Sequence, residues 1–160
     1  MISVEEALSN LLSLAKPMKS EIVPLRQSRE RVLTRDILAT RDQPPFATSA
    51  MDGYAVAVSE AIPGNIFTII GEAAAGHKFI GELGKSDAVR IFTGAPVPCG
   101  AKKIIIQEDV ERSENQIILR KNLDKSSHVR PAGGDFKVGH KVHSGKQLKP
   151  ADIALLAAMN

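Results

Sequence analysis

Between Phe46 and about His140, short apolar runs are separated by Gly, Pro and Asn at close intervals, leaving room for strands and little for helices. The candidate strands are Tyr54 to Val58, Ile66 to Glu72, Ala88 to Phe92, Lys103 to Gln107, Asp109 to Ser113 and Gln116 to Arg120. Turn residues stand between them at Pro63-Gly64-Asn65, Gly81 to Gly84, Gly94-Ala95-Pro96 and Gly133-Gly134, and Ser113-Glu114-Asn115 reads as a hairpin tip. With aromatic residues at 4% and no Trp, the core between such strands has to be built from Ile, Val, Leu and Ala.

The flanks read differently. Ser3 and Glu6 form an S-x-x-E start signal, and Leu8, Leu11, Leu12 and Ala15 make one apolar stripe that Lys16-Pro17 ends. Leu25 to Arg31 predicts one or two helical turns, and Val32 to Ala39 suits either a strand or a helix, with a strand after a brief helix favoured. Arg41 to Pro45 reads as a linker, because Pro44-Pro45 can neither continue a helix nor donate to a ladder. Lys137 to Lys149 reads as an extended return passage. Pro150 then suits a first helical position with Asp152 in the first turn, opening a segment from Ile153 that is apolar almost all round. A helix of that kind needs burial on several sides. The expected architecture is therefore α+β and β-rich, a β lobe plus an elongated lobe with few helices. The opening helix covers 1–17, the elongated lobe 18–39 and 141–160, and the β-rich lobe 40–140.

Composition removes several functions. Twenty-one basic against eighteen acidic residues give a net charge of +3, and both signs are interleaved along the chain. Nucleic-acid binding would need a basic stripe, and single-strand binding would need stacking aromatics. The one cysteine, Cys99, excludes an internal disulfide and a multi-cysteine zinc site. His140 and His143, three apart, would fall on opposite faces of a strand, which argues against a zinc pair. Lys102-Lys103 reads as an edge charge, and Tyr54 as a structural residue beside a turn. The absence of a signal peptide or spanning apolar run makes a cytoplasmic protein without membrane contact the expectation.

Three glycine-containing stretches carry the chemistry. They are Ser49 to Tyr54, Arg90 to Pro96 and Arg130 to Asp135. Each places a carboxylate or hydroxyl beside flexible backbone, the parts needed for a phosphate with a divalent metal. The same residues would also make ordinary turns, and neither the P-loop nor the dinucleotide fingerprint is present.

The run Asp42-Gln43-Pro44-Pro45-Phe46-Ala47-Thr48-Ser49-Ala50-Met51-Asp52-Gly53-Tyr54-Ala55-Val56 resembles the signature of the molybdopterin molybdenumtransferases, the MoeA family. That family's eukaryotic relatives include the E domains of gephyrin and of its plant counterpart. Collinear stretches extend the resemblance over the whole chain: Gly71 to Gly76, Val89 to Pro98, Gln107-Glu108, Arg130 to Asp135 and Leu148 to Ala157.

The resemblance implies an enzyme that binds adenylylated molybdopterin and molybdate, completes the molybdenum cofactor and releases AMP with Mg2+. It also implies a homodimer, with contact to other cofactor-biosynthesis proteins. On matching positions it implies catalytic roles for Asp52, Thr93 and Asp135, and substrate binding by Arg130, Gly94 and Gly134. Asp52, Asp135 and, as an addition, Glu108 are the implied metal ligands. Family members are more than twice this length, so the resemblance further implies a partial chain inactive by itself, lacking the α/β domain similar to MoaB and MogA. The alternative is a scaffold or dimerisation module of the gephyrin type.

Overall fold

The computed structural model describes residues 2–16 and 18–159, so Pro17, expected to end the first helix, lies outside the described residues. The structure is α+β and β-rich, with two α-helices and ten strands among the described residues. Contacts divide the chain into two compact units: one runs up to Ile37 and includes His143–Ala157, the other comprises Leu38–Val142 with the last residues from Ala158.

The larger unit is organised by a six-stranded sheet. Its strands are β3 (Gly53–Val56), β4 (Ile66–Ala73), β5 (Asp87–Ile91), β6 (Lys103–Ile106), β7 (Val110–Ser113) and β8 (Gln116–Leu119), and each expected strand is present within one or two residues at its ends. The spatial order is β6-β3-β5-β4-β8-β7. β3 runs antiparallel to both β5 and β6, whereas β4 and β5 are parallel. Glu114 and Asn115 close the β7–β8 hairpin, with Ser113 facing Gln116 and Glu114 at φ +49°.

Burial follows strand position. β3 is covered along its full length, while β4 alternates between buried and exposed residues in the period of two expected of a strand with one wet face. One cluster gathers Tyr54, Val56, Phe67, Ile69, Ile105, Ile117 and Leu119; another gathers Ala55, Ala73, Val89, Ile91 and Ile104. Aliphatic side chains dominate both. Gly53 is required by this packing, because a Cβ built there would stand 2.0 Å from the Ile105 carbonyl oxygen.

Two strands in this unit have only two residues each and were not anticipated. β2 (Thr48–Ser49) pairs antiparallel with β9 (Val129–Arg130), and Thr48 also bridges to Pro96. Gln43, inside the expected linker, bridges to Phe136: its N–H donates to Phe136 O at 2.9 Å, and Asp135 N donates to its carbonyl at 2.8 Å. Pro44 lacks a donor, but Gln43 keeps its own N–H and C=O, which suffice for a bridge. Lys103 also departs from expectation. It lies on the edge strand but is 7% exposed, and its Nζ donates to the Asp124 carbonyl at 2.9 Å.

In the smaller unit α1 (Val4–Leu14) starts where Ser3 Oγ accepts the Glu6 N–H at 3.1 Å, and Ala15 is its C-cap. None of its residues is buried, and Leu8, Leu11 and Leu12 are exposed. A single 3₁₀ turn, Leu25–Gln27, replaces the longer helical stretch. Val32 to Ala39 does not form a continuous strand. Val32 makes an isolated bridge to Gln147, and the strand that does form nearby, β1, is only Ile37–Leu38, at the edge of the larger unit, where it pairs with β10 (Lys141–Val142) in a two-stranded sheet. Arg31 and Leu33 exchange backbone bonds with Lys146 and Leu148 across the Val32 bridge, so local propensity yields to a partner more than a hundred positions away.

α2 (Pro150–Met159) begins at the expected proline, and Asp152 accepts the Lys149 N–H at 2.9 Å and the Lys146 Nζ at 2.7 Å. Leu156 and Met159 are buried, while Ala154 and Ala157 are exposed. The helix therefore has an open side as well. Its last carbonyls are satisfied by Thr40 N at 3.1 Å from Met159 O and Arg41 Nε at 3.0 Å from Ala158 O. No helix among the described residues is long and apolar enough to cross a membrane.

Candidate active site

Because β3 is antiparallel to β5 and β6, the residue before Gly53, the residues after Ile91 and those after Ile106 emerge at one end of the sheet. Asp52, Thr93, Gln107 and Glu108 occupy those positions. Asp52 Oδ1 accepts both the Thr93 N–H and the Thr93 hydroxyl, each at 2.7 Å. Its carbonyl accepts the Gln107 N–H at 3.1 Å. Gln107 Nε2 reaches Glu108 Oε1 at 3.3 Å.

The Thr93 N–H and then its hydroxyl hold the Asp52 carboxyl below its usual 3.8; burial opposes them, and the charge of Arg90 adds a lowering effect smaller than that of burial. Asp52 is thus an anchored carboxylate at neutral pH. Its Oδ1 is committed to Thr93, and Oδ2 has no protein hydrogen-bond partner among the described residues.

Arg130 and Asp135 form a second group at the end of β9. Arg130 Nη2 stands 3.8 Å from Asp135 Oδ1, and both side chains are more than half exposed. The backbone holds this turn: Gly133 N donates to Pro44 O at 2.8 Å and Asp135 N to Gln43 O at 2.8 Å. An exposed ion pair at this distance contributes little to stability, so both groups stay available to a ligand. Gly94 N donates to Ser49 O at 2.9 Å and Gly134 N to Pro131 O at 3.2 Å, so both N–H groups are engaged within the chain.

β2 joins the two groups. On one side Ser49 N donates to Ala95 O at 3.0 Å and Val97 N to Ala47 O at 2.9 Å; on the other, Ala50 N donates to His128 O at 2.8 Å beside the β9 pairing. The segments carrying Thr93 and Arg130 are therefore the two neighbours of one short strand, roughly 10 Å apart at two strand spacings. The three glycine-containing stretches are stitched to one another by the backbone.

Among the described residues no group of three or more His, Cys, Asp or Glu side chains could by itself hold a metal ion. Asp52, Asp135 and Glu108 do not make a closed cage. Carboxylate oxygens are the donor type that a hard cation of the Mg2+ kind takes, one or two at a time, together with its waters. The ring of His140 lies 6.0 Å from that of Phe136, and His143 Nδ1 is 4.0 Å from Asp36 Oδ2.

Sequence reasoning missed Arg90 and Gln107 as parts of this site. The first is the cross-strand partner of Tyr54, a relation carried by sheet register and by no local pattern. The fold also supplies an acid-sensitive set. The carboxyl of Asp124 is lowered chiefly by the Ser126 N–H, and that of Asp152 chiefly by Lys146. A carboxyl depressed in the native state contributes stability that is complete above its unfolded value and lost as pH falls through its native one. With Asp52 included, the thermal midpoint is expected to hold from neutrality to about pH 4 and fall below it. Differential scanning fluorimetry down to about pH 2 checks this, and Asp152→Asn is expected to flatten the fall.

The class defined by this fold is a β-rich α+β domain that gathers a carboxylate–threonine pair and an arginine–carboxylate pair onto neighbouring turns. The chain belongs to the family described as the MoeA N-terminal region (domain I and II), whose family model matches residues 2–160. It is 35% identical to the molybdopterin molybdenumtransferase of Haemophilus influenzae over 99% of this chain and 40% of that protein. It is 33% identical to molybdopterin molybdenumtransferase 2 of Mycobacterium tuberculosis over 99% of this chain and 41% of that protein. The fold is similar to a crystal structure of the molybdopterin biosynthesis MoeA protein of Pyrococcus horikoshii, at a TM-score of 0.83 and 33% identity over 99% of this chain and 42% of that one. The chain spans about two-fifths of the length of these relatives.

Proposed function

We propose that this chain supplies one wall of a molybdopterin molybdenumtransferase active site, in which molybdenum from molybdate enters adenylylated molybdopterin and AMP is released. The observation that carries this reading is the doubly anchored Asp52 carboxylate, held by Thr93 N and Oγ1 at 2.7 Å each beside an unoccupied-by-protein Oδ2. Such a group is fixed in its charged form and aimed, which suits it to orient a water or a cation at a phosphoanhydride. Arg130 is assigned to the substrate's anionic groups, since a guanidinium recognises phosphate with two parallel bonds. Asp52 and Asp135, with Glu108 as an addition, are the assigned Mg2+ ligands, and the ion would neutralise phosphate charge. Thr93 is assigned a catalytic role through Asp52, to which its N–H and hydroxyl both donate. Gly94 and Gly134 are assigned to the substrate-facing backbone.

The relatives' greater length supports a site completed by chain outside these residues, within a cytoplasmic homodimer that meets other cofactor-biosynthesis proteins. The chain alone is expected to show no turnover. A chimera tests the assignment: residues 2–160 replace the matching stretch of the Haemophilus influenzae enzyme, and molybdate-dependent AMP release is measured. Turnover in the chimera that disappears in its Asp135→Ala form is the expected result. A chimera equally active with and without Asp135 would remove that residue from the mechanism.

The exposed Leu8, Leu11 and Leu12 of α1 favour a second reading, a scaffold or dimerisation module. That reading predicts self-association in analytical ultracentrifugation that Asp135→Ala leaves unchanged.

A further inference from the structure

Arg90 lies at the centre of the sheet end that carries Asp52 and Thr93, and nothing above gives it a role in the reaction. Its position in β5 makes it the register partner of Tyr54 in β3 and of Glu72 in β4. The guanidinium carbon lies 5.1 Å from the Tyr54 ring centroid and 4.7 Å from that of Phe92. Two aromatic faces therefore hold the plane of the cation in place. Nη1 donates to the Gly53 carbonyl at 3.2 Å, and Nη2 donates to Gln107 Oε1 at 2.8 Å.

These contacts fall on all three segments that build the site. Gly53 follows Asp52, Phe92 precedes Thr93, and Gln107 precedes Glu108 and binds the Asp52 carbonyl through its own N–H. We propose that Arg90 is the positioning residue of this site, a fork that locks the Asp52, Thr93 and Glu108 segments in one register and presents Asp52 as an aimed anion. The proposal rests on the molybdenumtransferase reading for its consequence in turnover, while its physical content concerns Asp52 alone.

A lysine could supply the charge at this place. It could not at once pack on both rings and donate along two fixed directions to Gly53 and Gln107, as the guanidinium does. The other charged groups around the fork are Glu72 in β4, which lines a shallow depression with Arg90 and Arg112, and Glu108 through the Gln107 amide.

The test reads the Asp52–Thr93 contact directly. The Thr93 amide proton is followed by NMR in this chain and in Arg90→Met, Arg90→Lys and Gln107→Ala, with the remaining amide signals reporting the fold. Arg90→Met is expected to move the Thr93 amide proton upfield as its bond to Oδ1 weakens. Gln107→Ala removes an exposed side chain and so preserves the fold, and it is expected to move that signal in the same direction by less. Arg90→Lys returns the charge but not the two-pronged contact, and it is expected to leave the Thr93 signal displaced. An unchanged Thr93 signal in a folded Arg90→Met, or in Gln107→Ala should the first variant not fold, would overturn the proposal.

In the chimera, Arg90→Met is expected to lose roughly a hundredfold in kcat with KM little changed. Normal kcat beside a moved Thr93 signal would defeat the positioning role in catalysis and leave the clamp standing. Loss of the Asp52 requirement itself would instead defeat the functional reading.

Discussion

Gly53→Ala is expected to destabilise the chain by about 3 kcal/mol, at the upper end of what overpacking costs. The new Cβ would stand 2.0 Å from the Ile105 oxygen and 2.9 Å from its carbonyl carbon, so the group that must move is backbone of the neighbouring strand. β3 lies between β5 and β6, and its Tyr54 and Val56 belong to one core cluster while Ala55 belongs to the other. Separating β3 from β6 opens both. For a chain of this size the thermal midpoint should drop by roughly 6–12 °C, as calorimetry would show. Gly64→Ala is the control. It has φ +85° and open space around a Cβ, so only backbone strain applies, about 1 kcal/mol. Equal losses in the two variants would mean that the β3–β6 contact does not decide the outcome.

Asp52→Ala in the chimera is expected to reduce molybdate-dependent AMP release by about a hundredfold or more, the scale of removing one preorganised electrostatic group. The fold should survive, because Asp52 projects from a strand end and belongs to neither core cluster. Asp52→Asn separates geometry from charge. Its amide oxygen can still accept from Thr93, but the anion is gone, so turnover should stay low. Thr93→Val keeps the N–H donor and removes the hydroxyl, and an intermediate loss of roughly tenfold is expected, in line with one hydrogen bond to a charged group. The sign of the pH dependence follows from the same contacts. Thr93 lowers the Asp52 midpoint, so the valine variant should lose activity at a higher pH on acidification. An Asp52→Asn chimera as active as its parent would show that the charge is not used.

The six longer strands could be read directly from residue type and turn punctuation. All but β7 carry an apolar run near turn residues, and β7 (Val110-Glu111-Arg112-Ser113) is placed by the hairpin tip that follows it, so local signals and the final pairing agree. The opening helix announced itself through Ser3 and Glu6, and the last through Pro150 and Asp152. Val32 to Ala39 misled, because its apolar content suggested a strand whereas the available partner, Gln147, supplies only a bridge. β2, β9 and β10 have two residues each, too few for any periodicity. Lys103 looked like surface because its type is, and an acceptor at Asp124 turned it inward.

Residue identity alone determined which groups were available: carboxylates at Asp52 and Asp135, a hydroxyl at Thr93, guanidinium at Arg130, each beside glycine. Tertiary structure alone decided who meets whom. Asp52 finds Thr93 forty-one positions away because two antiparallel strands end side by side. Arg90 reaches Gln107 because β5 and β6 flank the same partner. Such meetings are set by strand register and backbone hydrogen bonds between distant segments, and no short stretch of sequence contains that information.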